Sequence, residues 1–155
     1  MRTRRDFITT TGAAVAAASF LAAGDAKAAA AATPPGKDAK DLHTDVVESA
    51  SACIRAGELC VAHCTEELAK GNTSMASCNK RVHEMLAMTR AMQTLAASKS
   101  EFAKRHAAVC ADVCKACAAA CLEHKEHWGH GMHMACKACY DACVACEQSC
   151  RKLAA

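Results

Sequence analysis

Aromatic side chains make up only 3% of this 155-residue chain. Phe7 and Phe20 fall in an N-terminal leader, so Phe102, Trp128 and Tyr140 are the only large rings left for a fold. A core built on stacked rings is excluded, and Ala, Leu, Val, Met and Cys must fill the interior. The two prolines are adjacent, in Thr33-Pro34-Pro35-Gly36, so nothing beyond Gly36 interrupts a helix by lacking a backbone N–H. No apolar run approaches the ~20 residues that a membrane-spanning helix needs. An excess of one charge is also missing: the formal +3 owes most to Arg2, Arg4, Arg5 and Lys27 in the leader, against Asp6 and Asp25. A near-neutral mature chain lacks the clustered positive face that a nucleic acid or an anionic membrane would require. A Gly-rich phosphate loop, a serine nucleophile elbow and a His-Glu-x-x-His zinc motif are all missing, which leaves hydrolysis and group transfer without a sequence basis.

Residues 1–28 read as an export signal: a basic start, an apolar stretch from Gly12 to Ala23, and small residues around Ala26-Lys27-Ala28 for cleavage. Arg4-Arg5-Asp6-Phe7-Ile8 resembles a twin-arginine signal, which implies export of an already folded protein to the periplasm. Residues 29–40 read as a flexible tail, and residues 41–155 as one domain.

Within that domain the apolar pattern is helical throughout, with no strand signal. The first helix is expected from Asp41 to the Gly71-Asn72 stop, and the second from about Ser74 to Ala97. Ser98 and Glu101 match a capping box for a third helix running to about His127. Trp128-Gly129-His130-Gly131 breaks the pattern, and a fourth helix is expected from about Met132 to Leu153. Four similar helices with short connections predict an all-α, antiparallel up-down-up-down four-helix bundle.

The abundant residue is cysteine, with 13 in the chain. Cys53, Cys60 and Cys64 lie on the first helix and Cys78 on the second. Cys110, Cys114, Cys117 and Cys121 lie on the third, and Cys136, Cys139, Cys143, Cys146 and Cys150 on the fourth. Every spacing within a helix is three, four or seven, which keeps each set on one narrow stripe that a bundle turns inward. Helices three and four share the pattern Cys-Lys-Ala-Cys-x-x-Ala-Cys. A disulfide framework fits poorly, because the count is odd and bridges between neighbours on one helix constrain almost nothing.

Buried thiolates select soft metals: copper(I), zinc or iron–sulfur clusters. A zinc ion with four thiolates keeps a charge of −2, and stacking several such sites in an alanine-lined core accumulates charge. One copper(I) per thiolate is neutral, so a row of them avoids the cost of burying net charge. Copper(I), many ions per chain, ranks first, ahead of zinc or general heavy-metal sequestration. A thiol-redox protein is the rival from another class, although it would want an exposed, acidic Cys-x-x-Cys at a helix start.

At these cysteine ladders the sequence resembles the bacterial four-helix-bundle copper storage proteins, over roughly Val46 to Ala155, and its leader resembles that of their exported branch. The resemblance implies bulk Cu(I) binding by inward cysteines, a homo-oligomer (tetramer or dimer), no enzymatic activity, and copper homeostasis with supply to copper enzymes through an unnamed donor and recipient. It also implies a mouth where His and Met residues assist entry. His63, just before Cys64, and Met75, upstream of Cys78, match that motif as further metal ligands, whereas two other Met positions of the motif are Glu67 and Lys70 here. His124, His127, His130, Met132, His133 and Met134 crowd the turn at the same end, as a metal-loading lip or a solvated turn. Met85, Met88 and Met92, at helical spacing on the second helix, read as core packing more than as ligands.

Overall fold

The computed structural model describes residues 41–125, 128–129 and 134–155. The expected signal peptide (1–28) and tail (29–40) lie outside the described residues, as do His127, His130, Met132 and His133. Four α-helices carry the fold: α1 Leu42–Ala69, α2 Ala76–Ala97, α3 Ala103–Leu122 and α4 Met134–Ala154, with a 3-10 turn over Thr73–Met75 leading into α2. Helix α1 packs against α2 and α4, and α3 packs against the same two, so the helices ring a common axis in chain order. No helix among the described residues is long and apolar enough to cross a membrane.

Local chemistry sets the ends. The Asp41 carboxylate accepts from the His43 backbone N–H (3.2 Å) and caps α1. At the other end Gly71 takes φ +88°, the Gly71 N–H reaches Leu68 O (2.9 Å) and the Asn72 N–H reaches Glu67 O (3.0 Å). This is a Schellman closure, and glycine supplies the left-handed residue at no steric cost. The same closure ends α2 with a residue less suited to it. Lys99 takes φ +49°, with Lys99 N–H to Ala96 O (3.0 Å) and Ser100 N–H to Leu95 O (2.9 Å).

That second closure corrects the capping box expected at Ser98 and Glu101. The Ser98 hydroxyl turns back to Thr94 O (3.0 Å) and Leu95 O (3.3 Å), so Ser98 terminates α2 instead of starting α3. Ser100 closes the turn that leads into α3: its Oγ accepts from the Phe102 N–H (3.2 Å) and its carbonyl from the Ala103 N–H (2.9 Å), while α3 itself starts after Phe102 without a side-chain cap. The third helix also stops at Leu122 and not near His127. His124 N–H bonds to Cys121 O (3.2 Å), tightening the last turn, and Trp128 packs on Tyr140 of α4 with ring centroids 5.2 Å apart. The chain must leave the α3 axis before Trp128 for that ring to reach α4.

The core is narrow because its side chains are small. All thirteen cysteines are fully buried, together with Ala50, Ala107 and Ala111. At the end holding the α2–α3 turn, Val46, Met92, Ala96, Ala103 and Leu153 form an apolar plug, each 2% exposed or less. Ion pairs such as Arg90–Glu58 (2.8 Å) and Arg151–Asp112 (2.9 Å) tie adjacent helices at the exposed surface, where such pairs add little stability.

Gly57 of α1 packs directly against side chains of α2. A Cβ there would sit 2.6 Å from Met85 Cε and 2.9 Å from Leu86 Cδ2. Alanine improves helix propensity by about 1 kcal/mol, but overpacking costs about 1–3 kcal/mol. Gly57→Ala is therefore expected to lower the stability of the metal-free protein by about 1 kcal/mol, since two side chains must shift. Urea unfolding measures this, and an increase in stability would show that the interface gives way freely.

Candidate metal centre

In this ring of helices the C-terminal ends of α1 and α3 and the N-terminal ends of α2 and α4 share one end of the bundle. Cys64, Cys78, Cys121 and Cys136 are the thiols nearest that end on their helices. The structure gathers the thirteen sulfurs into five sets, within each of which every Sγ lies within 4.8 Å of the others. Cys60, Cys64, Cys78 and Cys136 form the set nearest the mouth. Next comes Cys60 with Cys121 and Cys139, then Cys117 with Cys139 and Cys143. Cys53, Cys114 and Cys146 follow, and Cys110, Cys146 and Cys150 complete the series.

Consecutive sets share a sulfur or touch. Cys60, Cys139 and Cys146 each belong to two sets, and Cys53 joins the middle of the series at 3.6 Å from Cys143. Other rungs are Cys78–Cys121 at 3.7 Å, Cys60–Cys136 at 3.8 Å and Cys117–Cys139 at 3.9 Å. The thiols thus make one continuous ladder along the axis, drawing on all four helices at the mouth and on α1, α3 and α4 below it. No sulfur pair is bonded: all thirteen cysteines are free.

Burial and crowding separate the protonation of neighbouring thiols. S–H donors from Cys60, Cys64 and Cys78 converge on Cys136 and hold its pKa far below the usual thiol range, while Cys110, Cys114 and Cys150 do the same for Cys146. Cys121 is drawn down to about 6, chiefly by Cys117. The donors pay for this in the opposite sense: Cys60, beside Cys121, Cys136 and Cys139, and Cys150, beside Cys110 and Cys146, are pushed well above 9. The arrangement can collect soft cations, each binding event replacing thiol protons with metal and releasing them to water.

Of the two non-cysteine residues expected at the mouth, His63 is 1% exposed, and its imidazole lies close enough to Cys136 and Glu67 to favour the ionised form of both. Met75 is also 1% exposed, in the turn before α2. Glu67 and Lys70, at the two departures from the mouth motif, are not turned to metal. Glu67 accepts from Lys70 Nζ (3.1 Å) and Asn72 Nδ2 (3.2 Å), and together they lock the α1–α2 turn. In the expected lip, His124 is 7% exposed and its Nε2 has no hydrogen-bond partner, whereas Met134 is 52% exposed. Met85, read from the sequence as core packing, is fully buried in the core, and its Sδ also lies 3.2 Å from Cys53 Sγ. The signal for that contact was the seven-residue step from Cys78, which continues the thiol stripe of α2.

Comparison with known proteins agrees with this geometry. Residues 39–155 match the family model described as copper storage protein. The chain is 32% identical over 111 residues to the uncharacterized cysteine-rich protein YhjQ of Bacillus subtilis (strain 168), covering 70% of this chain and 93% of the relative. The structure is similar to apo copper storage protein 3 from Bacillus subtilis, with a TM-score of 0.59 and 29% identity, over 72% of this chain and 97% of that one. It is similar also to a Cu(I)-bound copper storage protein, BsCsp3, with a TM-score of 0.63 and 28% identity, over 74% of this chain and 100% of the other. With its thiol ladder and a family match spanning every helix, the chain belongs to the copper storage protein family.

Proposed function

We propose that this protein stores copper(I) in bulk, with thiolates of the ladder as ligands and copper as cargo. The observation that carries the reading is that all thirteen cysteines fall into overlapping sets of three or four sulfurs within one buried column. A column of shared thiolates suits copper(I), which accepts two or three sulfur ligands and keeps the column near neutrality at one ion per thiolate. A storage role in place of catalysis is supported by the complete burial of these thiols, none of which is presented at the surface. Export to the periplasm is supported by the twin-arginine-like start, and homo-oligomerisation by apolar side chains on the bundle surface, Leu59 at 60% and Val109 at 50% exposure.

A second reading has one specific support. Cys60, Cys64, Cys78 and Cys136 form a four-sulfur set of the kind that holds zinc tetrahedrally. Anaerobic titration of the reduced protein with Cu(I) against a competing chelator, with a parallel Zn²⁺ titration, separates the two. Copper is expected to saturate near one equivalent per thiol, and zinc at about one ion held by the mouth set. Copper saturation at one or two equivalents would sink the storage reading.

A further inference from the structure

Helix α2 brings a single thiol to the ladder, at the mouth. One heptad deeper its inward stripe places Met85, and the next heptad Met92, both fully buried. Their environments differ. The Cys53 S–H donates to Met85 Sδ across 3.2 Å, so a lone pair of the thioether already points at the proton that a metal would replace. Cys53 in turn lies 3.6 Å from Cys143 Sγ and within 4.8 Å of the sulfurs of Cys114 and Cys146. The thioether is held in that position from both sides. Its methyl sits over Gly57 of α1, where any side chain would collide with it. The Thr89 hydroxyl, anchored on Met85 O at 2.9 Å, approaches Sδ at 3.6 Å. No sulfur or hydroxyl contact of this kind engages Met92 among the described residues.

We propose that Met85 is an interior copper(I) ligand, completing a mixed thiolate–thioether site with Cys53 halfway along the ladder. At this level α1, α3 and α4 supply thiols, and Met85 supplies the missing fourth side. On loading, Cys53 gives its proton to solvent and forms a sulfur–copper bond, while Met85 contributes a neutral lone pair and no redox change occurs. A thioether donor added this way leaves the charge of the site unchanged, whereas a further thiolate would add a buried negative charge. The contacts that pack Met85 also aim its sulfur, so core packing and ligation are one role here.

The inference rests on copper storage, and the test reads the two separately. Full-length protein carrying ¹³C-methyl methionine is loaded anaerobically with Cu(I) and followed by NMR, since Cu(I) is diamagnetic. The Met85 methyl is assigned from M85L and independently from its through-space coupling to Thr89, so the assignment survives if the variant folds poorly. The Met85 resonance is expected to shift on loading well beyond that of Met92. In chelator competition M85L should keep nearly the full copper count but bind a subset roughly tenfold more weakly, the range expected when a supporting group is lost from a metal site. M92L should match the parent. Copper uptake near one equivalent per thiol with an unmoved Met85 methyl, or an M85L competition curve that superimposes on the parent, overturns the inference and leaves storage standing. A chain that takes up no copper overturns both.

Discussion

Copper loading is expected to raise the melting temperature by roughly 20 °C or more, and to remove the loss of stability that the metal-free fold shows above about pH 9. A ligand at about a thousand times its dissociation constant stabilises the native state by about 4 kcal/mol. Each kcal/mol moves the melting point of a domain of this size by roughly 4–8 °C. Several ions held together would therefore shift it by tens of degrees even after discounting the copper that an unfolded, cysteine-rich chain also binds. The pH sign follows from the thiols. In the metal-free fold Cys60, Cys64, Cys78, Cys110, Cys143 and Cys150 are held above the ordinary value of 9, mainly by crowding against other thiols and then by burial. Above about pH 9 the unfolded chain loses these protons while the folded chain keeps them, so metal-free stability is present below that pH and lost as pH rises past it. Thiols held low, such as Cys121 and Cys136, act in the other direction only below pH 9. The loaded protein has exchanged protons for copper, so its stability instead declines toward acid, where protons compete for the thiolates. Calorimetry of both forms across pH checks this. A loaded form that melts within a few degrees of the metal-free one would contradict it.

Replacing Cys60 and Cys139 together by serine is expected to cost more copper than the two thiols removed, whereas replacing Cys110 and Cys150 should cost two equivalents or fewer. Cys60 and Cys139 each belong to two sets, and between them they connect the mouth set to the rest of the ladder. Cys110 and Cys150 occur once each, in the innermost set. A serine hydroxyl is a hard donor and bridges copper(I) poorly, but within a helix it can bond to the carbonyl one turn back, which limits the folding penalty. Anaerobic titration of both double variants distinguishes the outcomes. Equal losses would mean that each thiolate holds its copper independently and that the shared vertices have no special part.

Much of the fold and the ladder was legible because cysteine is chemically distinct and its spacing is helical. Thirteen positions at three, four and seven residues define their faces without further information, and the structure buries every one. The Gly71 stop was legible for a similar reason, since a left-handed residue at a helix end favours glycine. The α2–α3 turn was not. Lys99 adopts the left-handed conformation without being glycine, Ser98 bonds back into α2, and α3 starts after Phe102 with no side-chain cap to mark it. The end of α3 was missed because the pull of Trp128 toward Tyr140 is long-range and leaves no periodic mark. Met85 was obscured by chemistry shared with its neighbours, since a thioether has the helical periodicity of an ordinary apolar side chain. Its contacts with Cys53 and Thr89 separate it from Met92.

The apolar plug of Val46, Met92, Ala96, Ala103 and Leu153 has a consequence for the order of traffic. A column of exchangeable sites filled from the Cys64 end alone is expected to work as a stack and not as a queue: ions would pass inward by swapping one sulfur neighbour at a time, and an ion near Cys150 would have no exit past those nearer Cys64. The last copper to arrive would be the first available to depart, with the deepest ions a reserve that turns over only when the upper rungs have emptied.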